Sequence, residues 1–293
     1  MKHFLSALTI LLFSTTYAHA TNVLTSIKPI QLIALELTKE VTTPDVLLGA
    51  NTSPHDYALK PSDVKRTRAA DLVVWYGHDL EPYLEKVLEG QNNVLTINEI
   101  EGLELREFAG GHHDHHDGHD HGSHDPHFWL GHKPTLQVAE AMAAKLMEID
   151  PENKTQYEQN LEEFESTLTN QFESIKAQLQ PVSEAGYYVF HDAYGYFEQD
   201  FPLNHLGYFT VSPDRKPGAK TLISIRKALA KNDAKCVFSE PQFTPAVVQS
   251  VTRGSDAKMG VLDPLGTDIE VAAGGYFKFK QQLADSFSEC LTQ

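Results

Sequence analysis

Short apolar segments alternate with amphipathic ones in two parts of the chain. In the first part, residues 23–27, 45–48, 71–76 and 94–97 are apolar or β-branched, which predicts buried strands. In the second part, the strand-like segments are residues 187–190, 206–212, 236–239 and 258–262. Amphipathic segments such as 30–40 and 62–70 lie between strands, as in parallel sheets flanked by helices. The pattern therefore predicts an α/β protein with two lobes.

One long amphipathic segment, from Pro151 to Gln180, separates the two parts. Its apolar residues recur every three or four positions, at Tyr157, Leu161, Phe164, Leu168, Phe172, Ile175 and Leu179. This spacing predicts a single helix about 45 Å long that ends before Pro181.

The predicted organisation is an N-terminal lobe over 21–150, a linking helix over 151–181 and a C-terminal lobe over 182–293. Each lobe is predicted to be a mainly parallel sheet flanked by helices, and the N-terminal lobe includes a histidine-rich loop at 110–125. Ligands of such sheets bind beyond the carboxyl ends of the strands. We therefore expect the functional site in the cleft between the lobes.

The first twenty residues have the composition of a secretory signal peptide. Lys2 supplies a positive charge, residues 5–13 are almost wholly apolar, and Ala18-His19-Ala20 predicts cleavage after Ala20. A membrane anchor is the alternative, but the apolar segment is shorter than the roughly 20 residues that a bilayer requires. The mature chain is therefore predicted to be exported.

The net charge indicates the class of binding partner, and the two cysteines indicate a covalent link within the chain. The formal net charge of −16 argues against nucleic acid and anionic lipid and favours cations. Cys236 and Cys290 are the two cysteines. In an oxidising compartment such a pair predicts a disulfide, with two buried free thiols as the alternative.

A run of histidines and aspartates follows the fourth predicted strand. Its composition is too polar for a core and predicts a loop whose histidines lack a fixed geometry. Such a loop would bind zinc, copper or nickel at modest affinity, and the alternative is a solvated linker that binds no metal. The histidines of the run are His112, His113, His115, His116, His119, His121 and His124.

Three other histidines lie at or near predicted strand ends. His55 is in the loop after the second strand, His127 stands where the chain becomes apolar after the run, and His191 directly follows the fifth strand. Each alone has a structural alternative, most of all His127. Together they predict three imidazoles meeting at one point, a set that zinc favours, with water or a carboxylate in the fourth position.

Several carboxylates are candidates to complete or support this site. Asp263, which follows the eighth strand, is a candidate fourth ligand, and a turn residue is its alternative role. Asp56 and Asp192 each follow one of the histidines and are candidates to orient imidazoles, although Asp192 is also a candidate N-cap. Glu240 is a candidate carboxylate at the rim of the cleft or in a solvated turn.

Five stretches of the chain resemble motifs of the metal-binding receptors of ABC importers, most closely their zinc-specific periplasmic members. They are SPHDYALKPSD, DPHFWL, VFHDAYGYFE, CVFSEPQF and LDPLGTD, and the resemblance covers essentially the whole mature chain. It implies that His55, His127 and His191 bind Zn²⁺. Manganese receptors tend to have a carboxylate in place of His191, and some zinc receptors have a glutamate where this chain has Pro54. Water or Asp263 is therefore expected to complete the zinc site.

The resemblance implies a monomeric protein that captures zinc in the periplasm and passes it to the membrane permease of an ABC importer. The alternatives are a manganese or iron receptor of the same fold and a zinc buffer acting through the histidine-rich loop. A zinc enzyme is a further rival, since three histidines and an open position also describe catalytic zinc. The sequence contains no HExxH or GxSxG motif, which disfavours that rival.

Overall fold

The computed structural model describes residues 21–108, 124–213, 216–231 and 233–292. The predicted signal peptide lies outside the described residues, as does the histidine-rich run up to Ser123. Among the described helices, none combines the length and the apolar character needed to cross a membrane.

The N-terminal lobe is built around a four-stranded parallel sheet. Its strands are β1 (Val23–Thr25), β2 (Asp45–Val46), β3 (Leu72–Trp75) and β4 (Val94–Thr96), in the order β2-β1-β3-β4. Its helices are α1 (Lys28–Leu37), α2 (Pro61–Ala69), α3 (Glu85–Leu88) and α4 (His132–Ile149). The strands β1 and β3 are completely buried, as their continuous apolar sequences predict.

The C-terminal lobe repeats this plan. Its strands are β5 (Tyr187–His191), β6 (His205–Thr210), β7 (Cys236–Ser239) and β8 (Lys258–Val261), all parallel, in the order β6-β5-β7-β8. Its helices are α6 (Gly195–Asp200), α7 (Ala219–Leu229), α8 (Ala246–Thr252) and α9 (Gly275–Leu291). The predicted two-lobe α/β architecture is confirmed.

The long helix between the sheets is α5, 26 residues from Lys154 to Leu179. A 3-10 turn at Pro151–Asn153 precedes it, and a second 3-10 turn at Gln180–Val182, containing Pro181, follows it. The predicted apolar stripe is its buried face, which packs against α1, α4 and α9. The predicted linking helix is thus confirmed, although its α-helical part is shorter than the segment 151–181.

A single large apolar core extends through both lobes. It includes residues of both sheets and of α5, while a smaller cluster around Phe190, Ile225 and Val248 lies on one side of the C-terminal sheet. The helix α9 packs against β8, α5 and α1, so the end of the chain also contacts the N-terminal lobe. A disulfide between Cys236 on β7 and Cys290 on α9 ties this helix to the sheet, which confirms the predicted pairing.

Candidate metal centre

His55, His127 and His191 converge in the cleft between the lobes. His191 is the last residue of β5, so the strand itself places its side chain at the carboxyl end of the C-terminal sheet. His127 immediately precedes a 3-10 turn, Phe128–Leu130, whose three side chains are fully buried and fix its position. His55 comes from the loop after β2 and is half-buried, whereas His127 and His191 are buried.

The three imidazoles are close enough to share one ion. One ring nitrogen from each histidine lies within 4.8 Å of the others, the only such group of three His, Cys, Asp or Glu side chains within the described ranges. The Nε2 atoms of His127 and His191 are 3.3 Å apart. The ring centroid of His55 lies 5.5 Å from the ring centroid of His127 and 5.8 Å from that of His191.

A buried carboxylate orients the ring of His127. Asp125 is completely buried, and its Oδ1 lies 2.7 Å from Nδ1 of His127 and accepts a hydrogen bond from the backbone N–H of the same residue at 3.0 Å. The other oxygen accepts a hydrogen bond from the Arg106 guanidinium at 2.8 Å. This carboxylate thus fixes both the ring and the backbone of His127.

A second buried carboxylate, Glu240, orients the ring of His191. Both of its carboxylate oxygens lie 2.7 Å from Nδ1 of His191, and Glu240 is itself buried at the end of β7. A carboxylate accepts hydrogen bonds, so in both pairs Nδ1 carries the proton and donates it. In His127 and His191 the Nε2 lone pairs therefore face each other across the cleft. Such an arrangement attracts a cation.

Burial disfavours the charged forms of His127 and Asp125 in the metal-free cleft. Burial lowers the pKa of His127 well below its usual value, and the charges of His191 and Arg106 lower it further. Burial also raises the pKa of Asp125 to about 7, against the backbone hydrogen bond from His127 and the Arg106 charge, which favour the carboxylate. A neutral His127 is the form that binds a metal ion.

The geometry suits tetrahedral zinc. Two nitrogens about 2.0–2.1 Å from zinc and at the tetrahedral angle lie about 3.3 Å apart. The separation of the His127 and His191 Nε2 atoms has this value. Three imidazoles and no carboxylate in the group favour a borderline metal over manganese or magnesium, which prefer oxygen ligands.

Asp263 lies outside this group of three. Its carboxylate accepts hydrogen bonds from Nε2 of Gln242 at 2.8 Å, from the backbone N–H of Leu265 at 3.0 Å and from the backbone N–H of Thr267. The nearby cleft is lined by Ser53, Pro54, His55, His127, Trp129, His191, Pro213, Glu240, Gln242, Phe243, Pro264 and Leu265.

The aspartates that follow the histidines do not orient them. Asp56 is exposed, and the buried Asp192 lies 4.0 Å from the Arg106 guanidinium. Nor is Asp192 an N-cap, since α6 begins at Gly195 with Tyr194 in the capping position. The orienting carboxylates are Asp125 and Glu240. The sequence signal for Asp125 is its place two residues before His127, across Pro126.

The histidine-rich run can be described only at its end. Within the described residues, His124 pairs with Glu107 in an isolated antiparallel bridge, so the chain returns beside the point where it left the lobe. The other six predicted auxiliary histidines, from His112 to His121, lie outside the described residues.

Comparison with known proteins extends these observations to the whole chain. The chain is 43% identical to a Haemophilus ducreyi protein named high-affinity zinc uptake system protein ZnuA, over 95% of this chain and 96% of that one. It is 39% identical to the Yersinia pestis protein of the same name, over 92% and 91% of the two chains. A solved zinc-bound ZnuA deletion mutant superposes with a TM-score of 0.79 at 26% identity, covering 94% of this chain and 99% of that one.

A second solved structure shows how widely the fold is shared. The periplasmic zinc-binding protein TroA of Treponema pallidum superposes with a TM-score of 0.80 at 18% identity, over 94% of this chain and 100% of that one. The family model described as "Zinc-uptake complex component A periplasmic" matches residues 23–290. With its fold, its histidine cluster and these relatives, the chain belongs to the ZnuA family of periplasmic zinc-uptake components.

Proposed function

We propose that this protein captures zinc in the periplasm, with His55, His127 and His191 as ligands, and delivers it to the permease of an ABC importer. The observation that carries the proposal is the facing pair of Nε2 atoms, 3.3 Å apart, on two imidazoles whose Nδ1 atoms are held by carboxylates. Relatives named for high-affinity zinc uptake support the same cargo.

Water, rather than Asp263, completes the zinc site in this proposal. The oxygens of Asp263 are already engaged by Gln242 and by two backbone N–H groups, and Asp263 is not part of the ligand cluster. Pro54 offers no ligand atom from its side chain. A fourth position held by water would leave the ion exchangeable, as delivery to a permease requires.

The rival functions fit this site less well. An all-imidazole set disfavours a manganese or iron receptor. The histidines from His112 to His124 act in the proposal as an auxiliary loop that binds further zinc weakly, and a buffer acting through that loop would not need the buried cluster. We propose binding without catalysis, since relatives across the chain are named as uptake components.

We also propose an assembly state, a route of export and a division into lobes for this protein. The protein is a monomer, exported by a signal peptide that is cleaved after Ala20. Its lobes, 21–150 and 182–293, enclose the ion and are joined by the helical segment 151–181.

The test is the affinity for zinc, measured by competition with a chelator so that only the tightest equivalent is observed. We expect His55→Ala, His127→Ala and His191→Ala each to weaken binding by about tenfold or more. His78→Ala is the matched control, because His78 also pairs with a carboxylate, Glu85, but on the exposed surface. Wild-type affinity in two of the three variants would refute the site, and manganese binding as tight as zinc binding would refute the cargo.

A further inference from the structure

One segment of the C-terminal lobe holds the N-terminal lobe at three places. This segment, residues 263–268, follows β8 and is here named the clasp. Its interlobe hydrogen bonds run from Trp129 Nε1 to the Pro264 carbonyl at 2.7 Å, from Lys28 Nζ to the Thr267 carbonyl at 2.9 Å, and from Thr267 Oγ1 to the Ala50 carbonyl at 3.3 Å.

The clasp is folded by Asp263 and completed by Gln242. Asp263 accepts the backbone N–H groups of Leu265 and Thr267, and Gly266 makes the turn between them with φ of +62°. Nε2 of Gln242 lies 2.8 Å from Oδ1 of Asp263, 3.1 Å from Oγ1 of Thr267 and 3.4 Å from the carbonyl of Ala50.

These distances also fix the orientation of the Gln242 amide. Three oxygens surround its nitrogen, and a flipped amide would place oxygen against the Asp263 carboxylate and the Ala50 carbonyl. The amide of Gln242 is therefore a donor at the point where the clasp meets the N-terminal lobe.

The clasp meets the N-terminal lobe beside two of the three histidines. Ala50 lies in the same loop as His55, five residues before it, and this loop has no strand or helix of its own between β2 and α2. Trp129 packs its ring edge-on against His127, with ring centroids 5.3 Å apart. His191 is carried instead by β5 and held by Glu240. His55 is thus the histidine carried by the loop that the clasp contacts directly.

We propose that Gln242 and Thr267, folded into place by Asp263, are positioning residues that hold the His55 loop against the C-terminal lobe and keep zinc enclosed. The proposal rests on the proposed function, because it acts through His55 as a ligand. It gives Asp263 a role distinct from that of a fourth ligand. Loss of the clasp bonds frees the loop, so that His55 leaves the ion more often and zinc dissociates faster.

The experiment is a double-mutant cycle on zinc affinity and dissociation rate in the full chain. Gln242→Ala and Thr267→Val each remove one hydrogen bond to the Ala50 carbonyl of the N-terminal lobe. Each should therefore speed zinc dissociation and weaken affinity by about three- to tenfold, the range for one such bond. Gln178→Ala is the control, since Gln178 on α5 also donates its amide to an aspartate, the exposed Asp285 on α9. It should leave zinc affinity unchanged.

The decisive arm repeats Gln242→Ala and Thr267→Val in the His55→Ala background. Because the clasp acts through His55, neither substitution should change affinity by more than about twofold there. Equal effects in the two backgrounds would overturn the clasp while leaving the zinc site intact. No effect of either substitution in the protein that retains His55 would do the same. Unchanged affinity in His55→Ala alone would overturn the ligand assignment itself, and the clasp with it. Thr267→Val keeps the shape of the side chain, so the test survives if Gln242→Ala fails to fold.

Discussion

At the scale of single residues, the site depends on carboxylates that do not themselves belong to the ligand cluster. In the sequence, His55 and His191 follow predicted strands and His127 stands at the end of the histidine-rich run. These positions are sufficient to predict that the three side chains converge. Their orientation was not predictable in the same way. The expected partners are the next residues in sequence, Asp56 and Asp192. Asp56 is exposed, and Asp192 follows the end of β5, where an extended chain points successive side chains in opposite directions.

The role of Glu240 yields the first prediction. Glu240→Gln should weaken zinc binding by about 10–100-fold, because the uncharged amide no longer stabilises the donating Nδ1–H of His191 or raises the basicity of its Nε2. Zinc affinity is measured by chelator competition at constant pH. Glu85→Gln, which alters the exposed pair with His78, is the control and should have no effect. Equal affinities in the two variants would mean that His191 is not a ligand held by Glu240.

At the scale of elements, the apolar pattern predicted the eight strands, because parallel strands buried on both faces have continuous apolar sequences. Boundaries shifted by one or two residues, as at β6, which begins at His205 rather than at 206. Helix α4 is missing from the sequence prediction, although Val138, Met142 and Leu146 have helical spacing and are buried. The disulfide was predictable from composition, since a chain predicted to be exported has only two cysteines.

Removal of this disulfide should destabilise the protein without abolishing zinc binding. A link across 54 residues stabilises the fold by about 4 kcal/mol in the chain-entropy view. The double variant Cys236→Ser and Cys290→Ser should therefore unfold at a clearly lower denaturant concentration than the wild type in zinc-free buffer. A reducing agent should shift the wild type in the same direction and leave the double variant unchanged. An unchanged midpoint in the variant would show that the link contributes nothing to stability.

At the scale of the whole molecule, function depends on contacts between residues far apart in sequence. The interlobe hydrogen bonds of the clasp join residues more than 100 positions apart, such as Thr267 and Ala50, and no local pattern in the sequence indicates them. The continuous core through α5 was likewise not apparent from two separate strand series. Both features fix the position of one lobe relative to the other, so that zinc ligands from each lobe meet within the cleft.

The histidine-rich run should be dispensable for this arrangement. Deletion of residues 110–123 should leave the fold and the tight zinc site intact, because the chain on either side is already held together. Glu107 pairs with His124, and the Asp125 N–H donates to the Arg106 carbonyl at 2.7 Å. A shorter connection changes the closure entropy by only about 0.6 kcal/mol per halving of length. Calorimetric titration should show the loss of weak zinc equivalents only, and loss of the tight equivalent would make the run the principal site.

In the proposed zinc-loaded protein, the ion lies between the lobes on three imidazoles. The most direct measurement is a crystal structure of the zinc-loaded protein with diffraction data collected on both sides of the zinc absorption edge. We expect one strong anomalous peak about 2.0–2.1 Å from a ring nitrogen of each of His55, His127 and His191, with the oxygens of Asp263 beyond bonding distance. A principal peak that lacks any one of these three histidines, or that lies among the histidines of the run, would contradict this expectation.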